Sequence, residues 1–93
     1  MASSPDHDAI SLGIHRLLAA RQARATICPS EVARDLAAEA DSDWRALMPD
    51  VRRVAALLVA EGRLRVTRGG KDVHAESAGG PIRLGRVGES GAG

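Results

Sequence analysis

Arginine is the residue type through which this sequence could bind a charged ligand, since the chain has twelve arginines and one lysine. Arg45, Arg52 and Arg53 fall within an arc of about 100° on a predicted helix, opposite its apolar residues. Ala56 and Ala60 share that sector, so the face is both small and basic. Such a face can approach the major groove of a DNA duplex while arginine contacts phosphates or guanine edges. The alternative is an ordinary charged helix face that is exposed to solvent.

A second basic cluster is predicted on a β-hairpin. Arg63 and Arg65 share the outward face of one strand, and Arg83 should share that face on a partner strand. Like charges that face one another across strands are destabilising, so an unpaired cluster would suggest a bound anion such as a phosphate backbone. The alternative is that Asp72, Glu76 or an acid from the first half of the chain neutralises the cluster.

The tip of the same hairpin also carries positive charge. Arg68 and Lys71 flank Gly69–Gly70, where a wing would touch a minor groove or the DNA backbone. Basic residues on exposed strands also discourage edge-to-edge pairing, which would explain them without a ligand. With the helical face included, the candidate nucleic-acid-binding residues are Arg45, Arg52, Arg53, Arg65, Arg68 and Lys71.

Residues that could support catalysis or hold a metal do not form a recognisable constellation. His7, His15 and His74 are scattered, and none has a metal-ligand spacing to Cys28. Cys28 precedes Pro29 at the start of a predicted helix, where a thiol can be reactive, but a small buried apolar residue is the simpler interpretation. We therefore expect no enzymatic activity, no metal and no cofactor.

The composition restricts the class of function further. Trp44 is the only aromatic residue, which argues against modules that stack single-stranded bases on aromatic side chains. The net charge is only +1, although residues 1–43 carry a balance of −3 and residues 44–93 one of +4. The lone cysteine, and the lack of a secretory signal or a long apolar run, predict a cytoplasmic protein without a membrane segment.

The first half of the chain is predicted to form two helices. Asp6 or Asp8 is a suitable N-cap for the first helix. Residues 25–28 favour a short strand, and Ser30 is the predicted N-cap of a second helix over about residues 31–40. The apolar stripe of the first helix consists of Ile10, Ile14, Leu17 and Leu18.

The third predicted helix carries the basic face. Pro49 interrupts it, but the apolar stripe keeps its phase across the proline, which favours one kinked helix ending at Gly62. Trp44 is predicted to fill the space where this helix crosses the others; the alternative is a ligand platform or an interface anchor, because tryptophan is enriched at binding hot spots. Leu57 lies off the stripe, so it either packs against the hairpin or marks a protein-contact patch. The stripe consists of Trp44, Leu47, Met48, Val51, Val54, Ala55 and Leu58.

After Gly62, apolar residues occur at every second position and no longer at helical spacing, which predicts strands. Leu64 and Val66 belong to the first strand, residues 71–73 return after a tight turn, and residues 81–84 form the last strand. The fold class is therefore α+β. We predict one winged helix-turn-helix domain, in which three helices are closed by a two- or three-stranded antiparallel sheet. The domain should span residues 7–87, with flexible tails at 1–6 and 88–93.

Four segments then occur in an order that is itself informative: residues 26–33 (TICPSEVA), 44–49 (WRALMP), 62–67 (GRLRVT) and 80–84 (GPIRL). Together they resemble a family of small bacterial domains of unknown function. The resemblance spans roughly residues 10–86 and implies a winged-helix-like fold. It implies no activity, ligand or functional residue.

Two hypotheses of function follow from these patterns. In the first, the chain is a DNA-binding module that contacts a duplex through the third helix and the wing. In the second, it is a protein-interaction or homodimerisation domain that uses Leu57 and neighbouring apolar residues and binds no nucleic acid. Many domains of this architecture bind DNA and many others bind proteins, so the fold alone does not separate the two hypotheses.

Overall fold

A computed structural model describes residues 7–22, 25–40, 43–76 and 80–87. Its elements are α1 (His7–Ala19), α2 (Pro29–Ala40), α3 (Trp44–Ala60), β1 (Arg65–Arg68), β2 (Lys71–Asp72) and β3 (Arg83–Gly85). This confirms the predicted α+β class, with three helices followed by a small antiparallel sheet in a winged-helix-like arrangement. Within the described ranges, no helix combines the length and apolar character needed to cross a membrane. The predicted tails, residues 1–6 and 88–93, lie outside those ranges.

Helix α1 packs through the predicted stripe. Ile10, Ile14 and Leu18 are buried, as is Ser11 between them, whereas Leu12 and Arg16 are exposed. Asp8 lies inside the first turn of the helix, so the prediction that it is the N-cap was wrong. It still favours the helix, because a negative charge in the first turn interacts well with the helix dipole. The other candidate cap, Asp6, lies outside the described residues.

Helix α2 begins two residues earlier than predicted. It starts at Pro29, so the prediction of Ser30 as N-cap was wrong. Proline is well suited to the first position of a helix, where no backbone N–H is needed. The Glu31 carboxylate accepts a 2.8 Å hydrogen bond from the backbone N–H of Cys28, which reaches back over the first turn in the manner of a capping box. These two residues fix where the helix starts.

Helix α3 is a single element that runs through Pro49, as its unbroken stripe predicted. The Asp43 side chain caps it by accepting a 3.0 Å hydrogen bond from the backbone N–H of Arg45. One side of the helix faces the core, and the opposite side faces solvent. Its buried residues are Leu47, Val51, Val54, Ala55 and Leu58.

The end of α3 is set by Gly62, which has a φ of 75°. Its N–H donates to the carbonyl of Val59 at 2.9 Å, and the N–H of Arg63 donates to the carbonyl of Leu58 at 2.9 Å. This pair of bonds is the Schellman motif, which favours glycine because the left-handed conformation is strained for other residues. The chain therefore leaves α3 in a fixed direction, which places β1 against the core.

The sheet has the order β2-β1-β3, and both pairs are antiparallel. Ile27 pairs with Leu84 of β3 through two backbone hydrogen bonds of 2.8 and 2.7 Å. The predicted strand at residues 25–28 therefore contributes a single bridge to the sheet. The β1–β2 turn is made by Gly69 and Gly70, whose φ values of 60° and 85° suit a two-residue hairpin loop.

The C-terminal part of the described chain contacts the end of α1. The Arg86 side chain donates a 2.7 Å hydrogen bond to the carbonyl of Leu18 and a 3.4 Å one to the carbonyl of Arg21. The Leu18 carbonyl also accepts a 3.0 Å hydrogen bond from the Arg21 N–H, so Arg86 adds a second donor there, and a cation at a helix C-terminus interacts well with the helix dipole. A residue just after β3 thus stabilises the end of the first helix.

Gly13 in α1 provides a test of the helix packing. A methyl group added at Gly13 would lie 3.6 Å from Val32 Cγ1, which is an ordinary contact. Gly13→Ala should therefore raise the free energy of unfolding by about 1 kcal/mol, because alanine favours a helix interior and glycine does not. Urea denaturation followed by circular dichroism measures the change.

Gly85→Ala is the matched control for this substitution. A methyl group there would lie 3.1 Å from Thr26 Cγ2, so the neighbour must move and no gain in stability is expected. If Gly13→Ala lowered the stability instead, the close approach of α1 to α2 would be tighter than described.

Candidate nucleic-acid interface

The outward side of α3 carries Arg45, Arg52, Arg53, Ala56 and Ala60, which together we call the basic face. Arg45 and Arg53 are exposed and Arg52 is half-buried. Ala60 is also exposed, and Ala56 packs partly against the core. The face lies opposite the buried stripe, because residues of a helix advance by about 100° each.

The three arginines of the basic face differ in their partners. Arg53 forms a 3.2 Å ion pair with Asp50, one turn earlier on the exposed surface. Arg52 has no ion pair or side-chain hydrogen bond within the described residues, although its Nε is covered by neighbouring atoms. The Arg45 guanidinium lies 4.7 Å from the centre of the Trp44 ring and has no carboxylate partner in the same ranges. Apart from the covered Nε of Arg52, the guanidinium donors of Arg45 and Arg52 therefore remain without a partner within the described residues.

A cleft lies between the basic face and the region after β2. Its volume is about 480 Å³, and Arg45, Met48, Pro49, Arg52 and Glu76 line it. Glu76 is exposed and forms no ion pair among the described residues, so two guanidinium groups outweigh one carboxylate there. We call residues 65–76 the wing, because they hold β1, β2 and the segment that returns to α3. The basic face and the wing therefore border the same cleft and lie next to each other on one surface.

The hairpin arginines are not an unpaired cluster. The Arg65 guanidinium donates two hydrogen bonds, of 2.9 and 3.1 Å, to the Asp72 carboxylate. Arg63 pairs with Glu61 at 3.2 Å, on the side of the hairpin next to α3. Asp72 therefore neutralises Arg65, as the alternative interpretation of the cluster predicted.

Arg83 shares the outward face of the sheet but does not lie opposite Arg65. It is aligned with Thr67, while Arg65 is aligned with Gly85. The Arg83 side chain donates to the hydroxyl and the carbonyl of Thr26, each at 2.9 Å. These bonds hold it against the segment before α2, so Arg83 has a structural role in the sheet.

The tip of the wing carries Lys71 and Arg68. Lys71 is exposed and has no ion pair or hydrogen bond to its side chain within the described residues. Arg68 donates a 3.1 Å hydrogen bond to the carbonyl of Gly80, which fastens the tip to the segment that leads into β3. Of the two, Lys71 is the side chain that projects freely into solvent.

Trp44 is packed partly against the core, and its ring also makes two contacts that no sequence pattern predicted. The Arg34 guanidinium of α2 lies 4.5 Å from the centre of its ring, in addition to that of Arg45. We call Arg34, Trp44 and Arg45 the tryptophan cluster. Arg45 follows Trp44 directly in sequence, but Arg34 comes from another helix, so no local spacing pointed to it.

The remaining candidates do not form a second site. Cys28 is a half-buried free thiol at the start of α2. Among the described residues, no three histidine, cysteine or acidic side chains are arranged to hold a metal ion. Leu57 is 43% exposed, so a large part of its side chain faces solvent. It leaves an apolar side chain on the surface beside the basic face.

Comparison with protein families matches residues 7–87 to the family described as "Protein of unknown function (DUF3253)". This confirms the uncharacterised family indicated by the four sequence segments, and the description attaches no activity to it. The search of curated proteins found no match. Any assignment of function to this chain therefore depends on the chemistry of its own surface.

Proposed function

Because the chain belongs to the family described as "Protein of unknown function (DUF3253)", which names no activity, we propose from the basic face that it binds duplex DNA. The observation that carries this proposal is the pair Arg45 and Arg52. Both extend from the outward side of α3, and neither has a carboxylate partner among the described residues. A helix with such a face fits the major groove, where arginine can donate to phosphates and to guanine.

The ion pair of Arg53 does not oppose this proposal. The Arg53 and Asp50 side chains are 52% and 31% exposed, and exposed pairs contribute at most about 1 kcal/mol. A DNA phosphate can therefore replace Asp50 as the partner of Arg53. Arg65 contributes less to binding, because Asp72 holds it through two hydrogen bonds.

The wing supplies a second contact in the proposal. The cleft places the segment after β2 beside Arg45 and Arg52, so the wing and the basic face can meet one duplex together. Lys71 at the tip reaches backbone phosphates, with Arg68 behind it. Phosphate contacts of this kind position a protein on DNA, and the arginines in the groove provide the sequence preference.

A protein-contact surface is the second candidate function, and the exposed Leu57 favours it. Single exposed aliphatic residues are common on monomeric proteins, however, and a binding patch needs several of them together. The other large exposed apolar residue on α3, Val59, points about 160° away from Leu57 around the helix. Duplex binding therefore explains more of this surface.

A salt titration with a fluorescent duplex tests the proposal. If Arg45, Arg52, Arg53 and Lys71 each neutralise one phosphate, the logarithm of the association constant should fall with the logarithm of salt concentration at a slope of about −3 to −4. Fluorescence anisotropy at several salt concentrations gives the slope. The absence of binding at low salt would refute the proposal. Light scattering that showed concentration-dependent self-association would then favour the protein-contact function.

A further inference from the structure

The tryptophan cluster is a surface feature that the proposed function leaves unexplained. Two guanidinium groups, one from α2 and one from α3, lie against the only aromatic ring of the chain. We propose that Arg34 and Arg45, held by Trp44, bind a backbone phosphate of the duplex at the edge of the groove that α3 enters. This inference rests on the proposed function, since the phosphate belongs to the same DNA.

The spacing of the two cations supports an anion site. Their Cζ atoms lie 4.5 and 4.7 Å from one ring centre, so they are at most about 9 Å apart, close to the Debye length at physiological salt. Their mutual repulsion is therefore not fully screened. No carboxylate of the described residues pairs with either group. An anion between them would relieve the repulsion and use donors that have no other partner.

Trp44 acts in this proposal as a positioning residue. A guanidinium over an indole ring is held through its flat face, which leaves the N–H donors at its edge able to bind a phosphate. Because the ring already restricts the two long arginine side chains, less conformational entropy is lost when they bind the phosphate. Asp43, the residue before Trp44, accepts the hydrogen bond from the Arg45 backbone that caps α3.

The cluster continues the basic face without a gap. Arg45 belongs to both, because it lines the cleft with Arg52 and also stacks on Trp44. Arg34 extends this row of cations from α3 onto α2. A contact to phosphate carries no base information, so Arg34 should strengthen binding to all duplex sequences alike. This distinguishes its role from that of an arginine that contacts base edges.

Arg34→Gln tests the inference. It should weaken duplex binding about 5- to 10-fold at about 100 mM salt, equally for unrelated sequences, and make the salt slope shallower by about 0.9. Arg16→Gln in α1 is the control, because it removes one exposed positive charge elsewhere and should leave the affinity within about twofold. Anisotropy of a labelled duplex measures all three proteins.

Variants of Trp44 test whether the ring positions the arginines. Trp44→Leu should weaken binding at least as much as Arg34→Gln because it releases both arginines, and Trp44→Phe should restore most of the affinity because an aromatic face remains. In the Arg34→Gln, Trp44→Leu double variant the loss should be smaller than the sum of the two single losses, since both substitutions act on one phosphate site. In the unsubstituted protein, duplex should also change the Trp44 emission, which comes from the only tryptophan of the chain.

The outcomes separate the inference from the proposed function. If the protein binds duplex with a steep salt dependence but Arg34→Gln binds equally well, the phosphate site is refuted and the basic face remains. Additive losses in the double variant would likewise refute the positioning role of Trp44. If no duplex binds at all, the proposed function fails first and the inference fails with it. Arg34 is exposed, so its variant gives an answer even if Trp44→Leu does not fold.

Discussion

Replacing both Arg45 and Arg52 by glutamate should lower the affinity for duplex DNA at least about 100-fold at about 100 mM salt. Each substitution removes a donor to DNA and places a negative charge against phosphates. A lost arginine contact costs about 1–3 kcal/mol, so two losses cost about 2–6 kcal/mol, and the repulsion between the new carboxylates and the phosphates adds to this; a 100-fold loss corresponds to roughly 2.7 kcal/mol. Neither side chain is fully buried, and neither forms an ion pair within the described residues, so the fold should tolerate the change.

Anisotropy titration of a labelled duplex against this double variant gives the affinity. The matched control is Arg16→Glu with Arg63→Glu, which changes the net charge by the same amount at two exposed residues outside the basic face. If charge alone governed binding, both double variants would lose affinity equally. That result would contradict the assignment of the interface to α3, whereas a much smaller loss in the control would support it.

Leu58→Ala should lower the free energy of unfolding by about 3–4 kcal/mol. Leu58 is fully buried in α3 and belongs to the core between the helices and the sheet. Leucine-to-alanine substitutions in cores cost about 2–5 kcal/mol, because apolar surface is lost and a cavity remains. Domains of this size are stable by only about 5–15 kcal/mol, so the melting temperature should fall by more than about 10 °C.

The neighbouring residue supplies the control for this experiment. Leu57→Ala makes the same chemical change at a side chain that is 43% exposed, and it should cost less than about 1 kcal/mol. Thermal and urea unfolding, followed by circular dichroism, compare the two variants. Equal losses would mean that Leu57 is as well packed as Leu58, which would contradict the orientation of α3 and hence of the basic face.

The elements were predictable where neighbouring residues determine them. The stripe of α3 has one phase on both sides of Pro49, and it correctly predicted a single helix with its arginines outward. Gly62 marked the end of that helix, because a left-handed residue is needed there. Gly69 and Gly70 located the hairpin turn for the same reason. Local conformational chemistry was sufficient in each case.

The start of α2 shows how two local rules can compete. Ser30 is a good N-cap residue by type, but Pro29 before it is favoured at the first helical position and Glu31 can bond back to the N–H of Cys28. The second combination determines the start of the helix, which therefore begins two residues earlier than predicted. Residue preferences at single positions did not decide the outcome, because the capping interactions act together.

The candidate site was predictable only in part. The position of Arg45, Arg52 and Arg53 on one helical sector follows from the period of the helix. The stacking of Arg34 on Trp44 depends on how α2 crosses α3, and no spacing in the sequence encodes that crossing. The anchoring of Arg83 to Thr26 across the sheet is non-local for the same reason. Side-chain partners from distant elements become visible only in three dimensions.

The bonds of Arg86 and Leu84 also constrain when this fold can form. Arg86 satisfies the end of α1, and Leu84 pairs with Ile27, so both contacts join segments more than 50 residues apart. During synthesis, the early helices emerge from the ribosome long before their last partners exist. Until then, the end of α1 lacks the Arg86 cation and the β-bridge before α2 cannot form. We therefore expect the domain to reach its native state as one cooperative unit only after residues 84–86 have been made.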